Sequence, residues 1–191
     1  EGKHPESGDF SMYNSARGDV YGDFIVGQGG AGNVFLFGAP GAPAALSVID
    51  SLSGACLIGR EYAGNVSVSE YSSLSCRNVQ LGLAGATGHG QISLYGGFLN
   101  VNEIVRVGQV GSGGGELELL NATVTVLEGM HIAPNGRVSG AGNIILGGIG
   151  LLNEGSLSPG INIVPVPLAA APTMPQVDPA TLQSSVARMG R

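Results

Sequence analysis

The sequence predicts an all-β fold, a parallel β-solenoid (β-helix) of about five coils, on three observations. One is a repeat of about 26 residues. The others are short segments that alternate apolar with polar side chains, and glycines at fixed points between those segments. The repeat shows in a five-residue pattern, glycine, any residue, then two apolar positions separated by one residue. It occurs at Gly32-Asn33-Val34-Phe35-Leu36, Gly64-Asn65-Val66-Ser67-Val68, Gly90-Gln91-Ile92-Ser93-Leu94, Gly115-Glu116-Leu117-Glu118-Leu119 and Gly142-Asn143-Ile144-Ile145-Leu146. The glycines are 32, 26, 25 and 27 residues apart, and the long first interval holds the extra turn GAPGAPAA at residues 38–45.

Each unit has further parts. Upstream of the pattern an apolar residue precedes glycine, as in Val26-Gly27, Ile58-Gly59, Leu81-Gly82 and Val107-Gly108, with IAPNG from Ile132 in the fifth unit. Downstream comes a second alternating strand, Leu46-Ser47-Val48, Leu74-Ser75-Cys76, Leu99-Asn100-Val101 and Val124-Thr125-Val126. A unit this small cannot bury its apolar face alone, so successive units stack and pair their backbones with the coils above and below. The glycines then belong at corners, where the chain needs positive φ or the absence of a Cβ. This accounts for GQGGAG at residues 27–32, which spells a dinucleotide-binding pattern but opens the strand-like NVFLF rather than a helix. Gly27, Gly29 and Gly32 are expected to line a solenoid corner.

Composition limits the function. The 34 glycines far exceed average usage, charged residues make up only 12%, and the 43% apolar content argues against disorder. A net charge of −6 with eight Lys and Arg excludes the basic patch that nucleic acid or anionic lipid requires, and no apolar run is long enough to span a membrane. Glu1 and the polar stretch through about Ser15 read as a processed mature end, the expectation for a secreted chain. Cys56 and Cys76 allow one disulfide, or two buried thiols.

No constellation of catalytic groups stands out, so the chain reads as a non-enzyme without cofactor or metal. The carboxylates Asp50, Glu61, Glu70, Glu103, Glu116, Glu118, Glu128 and Glu154 are scattered, and only Glu116 and Glu118 share a strand face. His4, His89 and His131 lack ligand spacing, and Val34 stands where a calcium-binding nonapeptide needs aspartate. Arg17-Gly18-Asp19 is explained by a glycine turn before a strand. Tyr62, Tyr71, Tyr95 and Phe98 are a thin set of rings for a carbohydrate-binding face.

The glycine-rich phrasing, with LEGMHIAPNGRVSGAGNIILGG and the closing NEGSLSPG at residues 153–160, resembles the repeats of bacterial autotransporter passengers and of PEP-CTERM-type secreted surface proteins. The resemblance covers roughly residues 23–160. It implies a β-solenoid at a bacterial cell surface or outside the cell, and is nearly silent on activity.

The domain reading is an N-terminal arm or cap at 1–22, the solenoid at 23–160, an extended Pro/Ala-rich linker strand at 161–177 and a short helix at 178–191. In that helix Leu182, Val186 and Met189 share one face after Asp178-Pro179. The tail either caps its own solenoid or reaches a neighbouring subunit and adds a strand to it. The residues expected at such a joint are Ile161, Ile163, Val164, Val166, Leu168, Leu182, Val186 and Met189. The function expected is therefore a secreted structural protein, a homo-oligomer or filament, sheath or matrix of identical subunits. The alternative is a monomeric surface-displayed adhesin or carbohydrate-binding passenger module with a polysaccharide partner.

Overall fold

Alternating segments separated by glycine turns leave each strand one apolar edge to bury, and the chain buries it by winding. A computed structural model describes residues 7–49, 54–83, 88–109 and 113–166. The first coil is β1 (Gly8–Tyr13), β2 (Arg17–Tyr21) and β3 (Phe24–Val26), and the second is β4 (Gly32–Phe37), β5 (Ala44–Ile49) and β6 (Ala55–Ile58). The third is β7 (Gly64–Ser69), β8 (Ser72–Cys76) and β9 (Asn78–Leu81), and the fourth is β10 (Gly90–Tyr95), β11 (Phe98–Val101) and β12 (Ile104–Val107). In the fifth and sixth coils the first two strands fuse, giving β13 (Gly115–Val126) with β14 (Gly129–Ile132), then β15 (Gly136–Leu146) with β16 (Gly150–Asn153). A partial turn of β17 (Ser156–Leu157) and β18 (Ile161–Pro165) closes the described chain.

Every strand ladder between coils is parallel. The result is a three-faced parallel β-solenoid with no helix among the described residues. The register explains the core. On the first face Phe10, Val34, Val66, Ile92, Leu117, Val138 and Leu157 stack in one inward column. The middle of that column is fully buried, whereas Phe10, in the first of the described coils, is 48% exposed. Outward positions stack too. Asn33 Nδ2 donates to Asp9 Oδ1 at 2.8 Å, Asn65 Nδ2 to Asn33 Oδ1 at 3.0 Å, and Asn162 Nδ2 to Asn143 Oδ1 at 3.1 Å, so side-chain amides repeat the ladder's direction.

Two boundaries differ from the sequence reading. Gly8 pairs with Gly32, so Gly8-Asp9-Phe10-Ser11-Met12 is another copy of the glycine pattern, and much of the expected N-terminal arm forms the first coil. At the other end Gly115 pairs with Gly136, while Gly142 lies opposite Ala122 on the second face. The second-face strand carries the same alternation as the first, and the tight Pro134-Asn135-Gly136 turn shortens the repeat, which is why the pattern in sequence matched one face too late.

The corner between the third and first faces is backbone against backbone. Gly27 has φ +81°, and a Cβ there would lie 2.5 Å from the Tyr62 carbonyl oxygen; a Cβ at Gly90 would lie 2.0 Å from the Ile58 oxygen. Gly29, in the same motif as Gly27, has open space around it and is not required by packing.

Candidate functional site

The corner between the first and second faces is where the chain presents side chains. Each of the six coils turns there through a residue of positive φ: Ser15, Gly41, Tyr71, Gly96, Asn121 and Gly140. Tyr13, Phe37, Tyr71, Tyr95 and Phe98 stand exposed along or beside it. The Tyr13 and Phe37 rings stack with centroids 5.3 Å apart, and Phe35 stacks on Phe37 at 6.0 Å. Of the four rings singled out in sequence, Tyr71, Tyr95 and Phe98 therefore meet at this corner, and Tyr62 lies at the glycine corner instead. Tyr13 and Phe37 join them only through the register, which separated sequence positions do not reveal.

The inserted residues 38–43 make a wall beside these rings. Ala39 and Ala42 exchange both backbone hydrogen bonds, at 3.1 and 2.8 Å, around Pro40-Gly41 with Gly41 at φ +76°, the geometry of a type II turn. The loop is pinned where the Ser15 N–H donates to the Ala42 carbonyl at 3.1 Å. Between this wall and the corner runs a groove of about 420 Å³, lined by Ala39, Gly41, Pro43, Tyr71, Ser73 and Phe98, with Ser72 at its base.

The polar side chains elsewhere are engaged in holding coils together. Glu116 accepts from Ser139 Oγ at 3.1 Å and faces Arg137 Nε at 3.5 Å, and Glu118 accepts from Ser93 Oγ at 3.0 Å. His131 Nε2 lies 2.9 Å from Glu154 Oε2. At the corner between the second and third faces Arg77 Nε donates to Glu103 Oε1 and Asn78 Nδ2 donates to Oε2 at 2.8 Å. These bonds hold the Glu103 carboxyl below its ordinary 4.5 against the opposing effect of burial. Among the described residues no three His, Cys, Asp or Glu side chains converge as a metal site. No helix there is long and apolar enough to cross a membrane.

Cys56 on β6 and Cys76 on β8 are bonded to each other, with Cα atoms 6.2 Å apart, and tie the second coil to the third. Of the residues expected at a subunit joint, Ile161 and Ile163 pack on the chain's own core, because β18 pairs with β15 of the same chain. Val164 is exposed, and the Val166 N–H donates to the Leu146 carbonyl at 2.7 Å. The strand expected as a donor to a neighbour is thus spent at home, on the open edge of β15, to which the chain returns one coil later. Leu168, Leu182, Val186 and Met189 lie outside the described residues. Comparison of the chain with protein-family models, with curated proteins and with solved structures finds no match.

Proposed function

We propose that the protein is an extracellular structural subunit, a rigid β-solenoid rod that stacks end to end into a filament, sheath or matrix. One observation carries the reading: among the described residues the ladders stop at both ends with strand edges unpaired and inward side chains uncovered. At the N-terminal end Phe10 and Phe24 border an open concavity of about 1120 Å³. At the other end Leu157 and Ile163 are only half covered, beside the exposed Val164. In a parallel solenoid these ends are opposite edges of one three-faced outline, so one copy's last coil fits the next copy's first. Such a joint is head to tail and does not close. It needs coil against coil, not a donated strand. The Cys56–Cys76 bridge suits an oxidising compartment, and the likeness to passenger and PEP-CTERM-type repeats supports a bacterial surface or extracellular setting.

A monomeric adhesin or carbohydrate-binding module is the second reading, favoured by the exposed rings gathered at one corner. Negative-stain electron microscopy of the purified protein separates the two. Fibres with an axial repeat of roughly 34 Å, seven rungs at about 4.8 Å each, support stacking. The Phe10→Asp variant should then remain as single rods. Uniform short rods from the unaltered protein would sink the structural reading and leave the adhesin.

A further inference from the structure

The groove at the first corner is built at a cost that its own contacts do not offset. Tyr71 holds φ +59°, a left-handed conformation that costs a side chain with a Cβ roughly 1–2 kcal/mol. Equivalent turns in four other coils use Gly41, Gly96, Asn121 and Gly140, residues that adopt it with little strain, while Ser15 in the first coil shares the strain with a much smaller side chain. The Tyr71 ring is 47% exposed, so core packing does not compensate. Its backbone is fixed from the other side, because a Cβ on Gly38 at the root of the inserted loop would lie 2.4 Å from the Tyr71 oxygen. A rigid loop, an aromatic side chain in a strained turn and the Phe98 ring of the next coil thus converge on one groove.

The chemistry of this groove selects its occupant. Its walls are two aromatic rings, a proline, an alanine, a glycine and the single hydroxyl of Ser73, and the Ser72 hydroxyl already turns to the Glu70 carbonyl at 3.5 Å. A polysaccharide would bring a hydroxyl to every ring position and find few partners for them. An extended proline-rich peptide brings apolar rings, few donors and a backbone already ordered, and such segments dock in aromatic-lined grooves. The chain carries one of its own, with Pro167, Leu168, Pro172, Met174 and Pro175 directly after the last described residue, Val166.

We propose that the groove of Pro43, Tyr71 and Phe98 is the docking site for residues 167–175 of the same chain. The distances permit it. Phe98, Thr123, Asn143 and Asn162 stand in one column, so β18 begins three rungs from Phe98, about 14 Å at about 4.8 Å per rung. Val166 lies four residues further along, about 13 Å. The straight line from Val166 to Phe98 is therefore about 19 Å, so at about 3.1 Å per residue in polyproline conformation residues 167–171 serve as the tether and Pro172 to Pro175 reach the groove. Tethering makes the contact intramolecular and raises its effective concentration to the millimolar range. The proposal does not depend on end-to-end stacking.

The test uses the full chain with Phe98→benzoylphenylalanine, as an equal mixture of ¹⁴N- and ¹⁵N-labelled protein, irradiated and mapped by mass spectrometry. Crosslinks to residues 167–175 of the same isotope are expected. Isotopically mixed crosslinks, crosslinks elsewhere, or none would overturn the proposal. A second readout guards against a probe that perturbs the site. Phe98→Ser and Tyr71→Ser should each speed amide hydrogen exchange at Thr173 and Met174 at least tenfold, with Ile92 and Leu94 unchanged. Equal rates at Thr173 and Met174 would also overturn it, as would a neutral β-glucan oligosaccharide that shifts tyrosine fluorescence while those amides stay unprotected.

Discussion

The two corners that flank the first face are built on opposite principles. At the corner with the third face, successive coils press backbone on backbone, so that a Cβ on Gly59 would stand 2.3 Å from Gly90 N and one on Gly136 would stand 1.9 Å from the Val107 oxygen. At the corner with the second face the turn is left-handed in every coil, and residues as different as Ser15, Tyr71 and Asn121 occupy it. Close backbone contacts occur there too, at Gly38, Gly97 and Gly140, but between them the turn position leaves room for a side chain. Steric exclusion therefore runs down the first of these corners as a column, whereas at the second it is confined to single coils and left-handed strain governs the turns that carry side chains.

The largest effect should come from breaking the tight corner. Gly90→Ala forces a Cβ to 2.0 Å from backbone that belongs to another coil and cannot swing aside. Unfolding in urea should show a loss of about 4 kcal/mol or more, the range reserved for severe steric disruption. Gly29→Ala, at the same kind of corner but with nothing within 4 Å, should change stability by no more than about 0.5 kcal/mol. Similar losses in the two variants would mean that the whole motif, and not its contact points, demands glycine.

This contrast also separates what could be read in the sequence from what could not. A column of glycines enforced by backbone contacts leaves a periodic mark, and so does an alternating strand, which is why the solenoid, its corners and the inward residues from Val34 to Leu119 were legible. The first coil carries the same mark at Gly8-Asp9-Phe10-Ser11-Met12, within the polar N-terminal stretch. The sixth coil was harder, since Gly142 satisfies the pattern on the wrong face and only pairing shows that Gly136 continues the column. The aromatic corner was out of reach. Tyr13, Phe37, Tyr71, Tyr95 and Phe98 hold no constant spacing, because the inserted turn at 38–43 lengthens one coil and because Tyr71 lies in the turn and Phe98 on the second face, outside the column of Tyr13, Phe37 and Tyr95. Pairing of Cys56 with Cys76 was open for the same reason, being decided by which strands abut across a corner.

The remaining corner, between the second and third faces, offers intermediate tests because it is fastened by bonds rather than by sterics. Replacing both Cys56 and Cys76 with alanine removes a link across 20 residues of chain, worth about 3 kcal/mol in the loop-closure estimate. The urea midpoint should fall accordingly, and a reducing agent should lower that of the unaltered protein but not of the variant. A smaller step is expected at the strained corner. Tyr71→Asn places there the residue type that the fifth coil uses at Asn121, and should raise stability by about 1 kcal/mol as the left-handed strain is relieved. A loss instead would show that the ring contributes more through packing than its exposure suggests.

The smallest effect concerns charge at that fastened corner. Glu103 is held ionised chiefly by the Arg77 hydrogen bond, then by Asn78, whose own Oδ1 accepts the Ile104 N–H at 3.3 Å, so one carboxylate ties this corner of the fourth coil to the same corner of the third. Because its folded pKa lies below the unfolded 4.5, the folded state binds the proton less readily. Its contribution to stability is therefore fully present above the unfolded value and disappears as pH falls through the folded one. Glu103→Gln should accordingly be less stable than the unaltered protein at pH 7, and the gap should close progressively below about pH 4.5. Urea titrations at pH 7, 4 and 2.5 read this directly. A gap that stays constant across the three would show that Glu103 acts through its shape and neutral hydrogen bonds alone. The ion pair would then be incidental to a corner already fixed by the disulfide beside it.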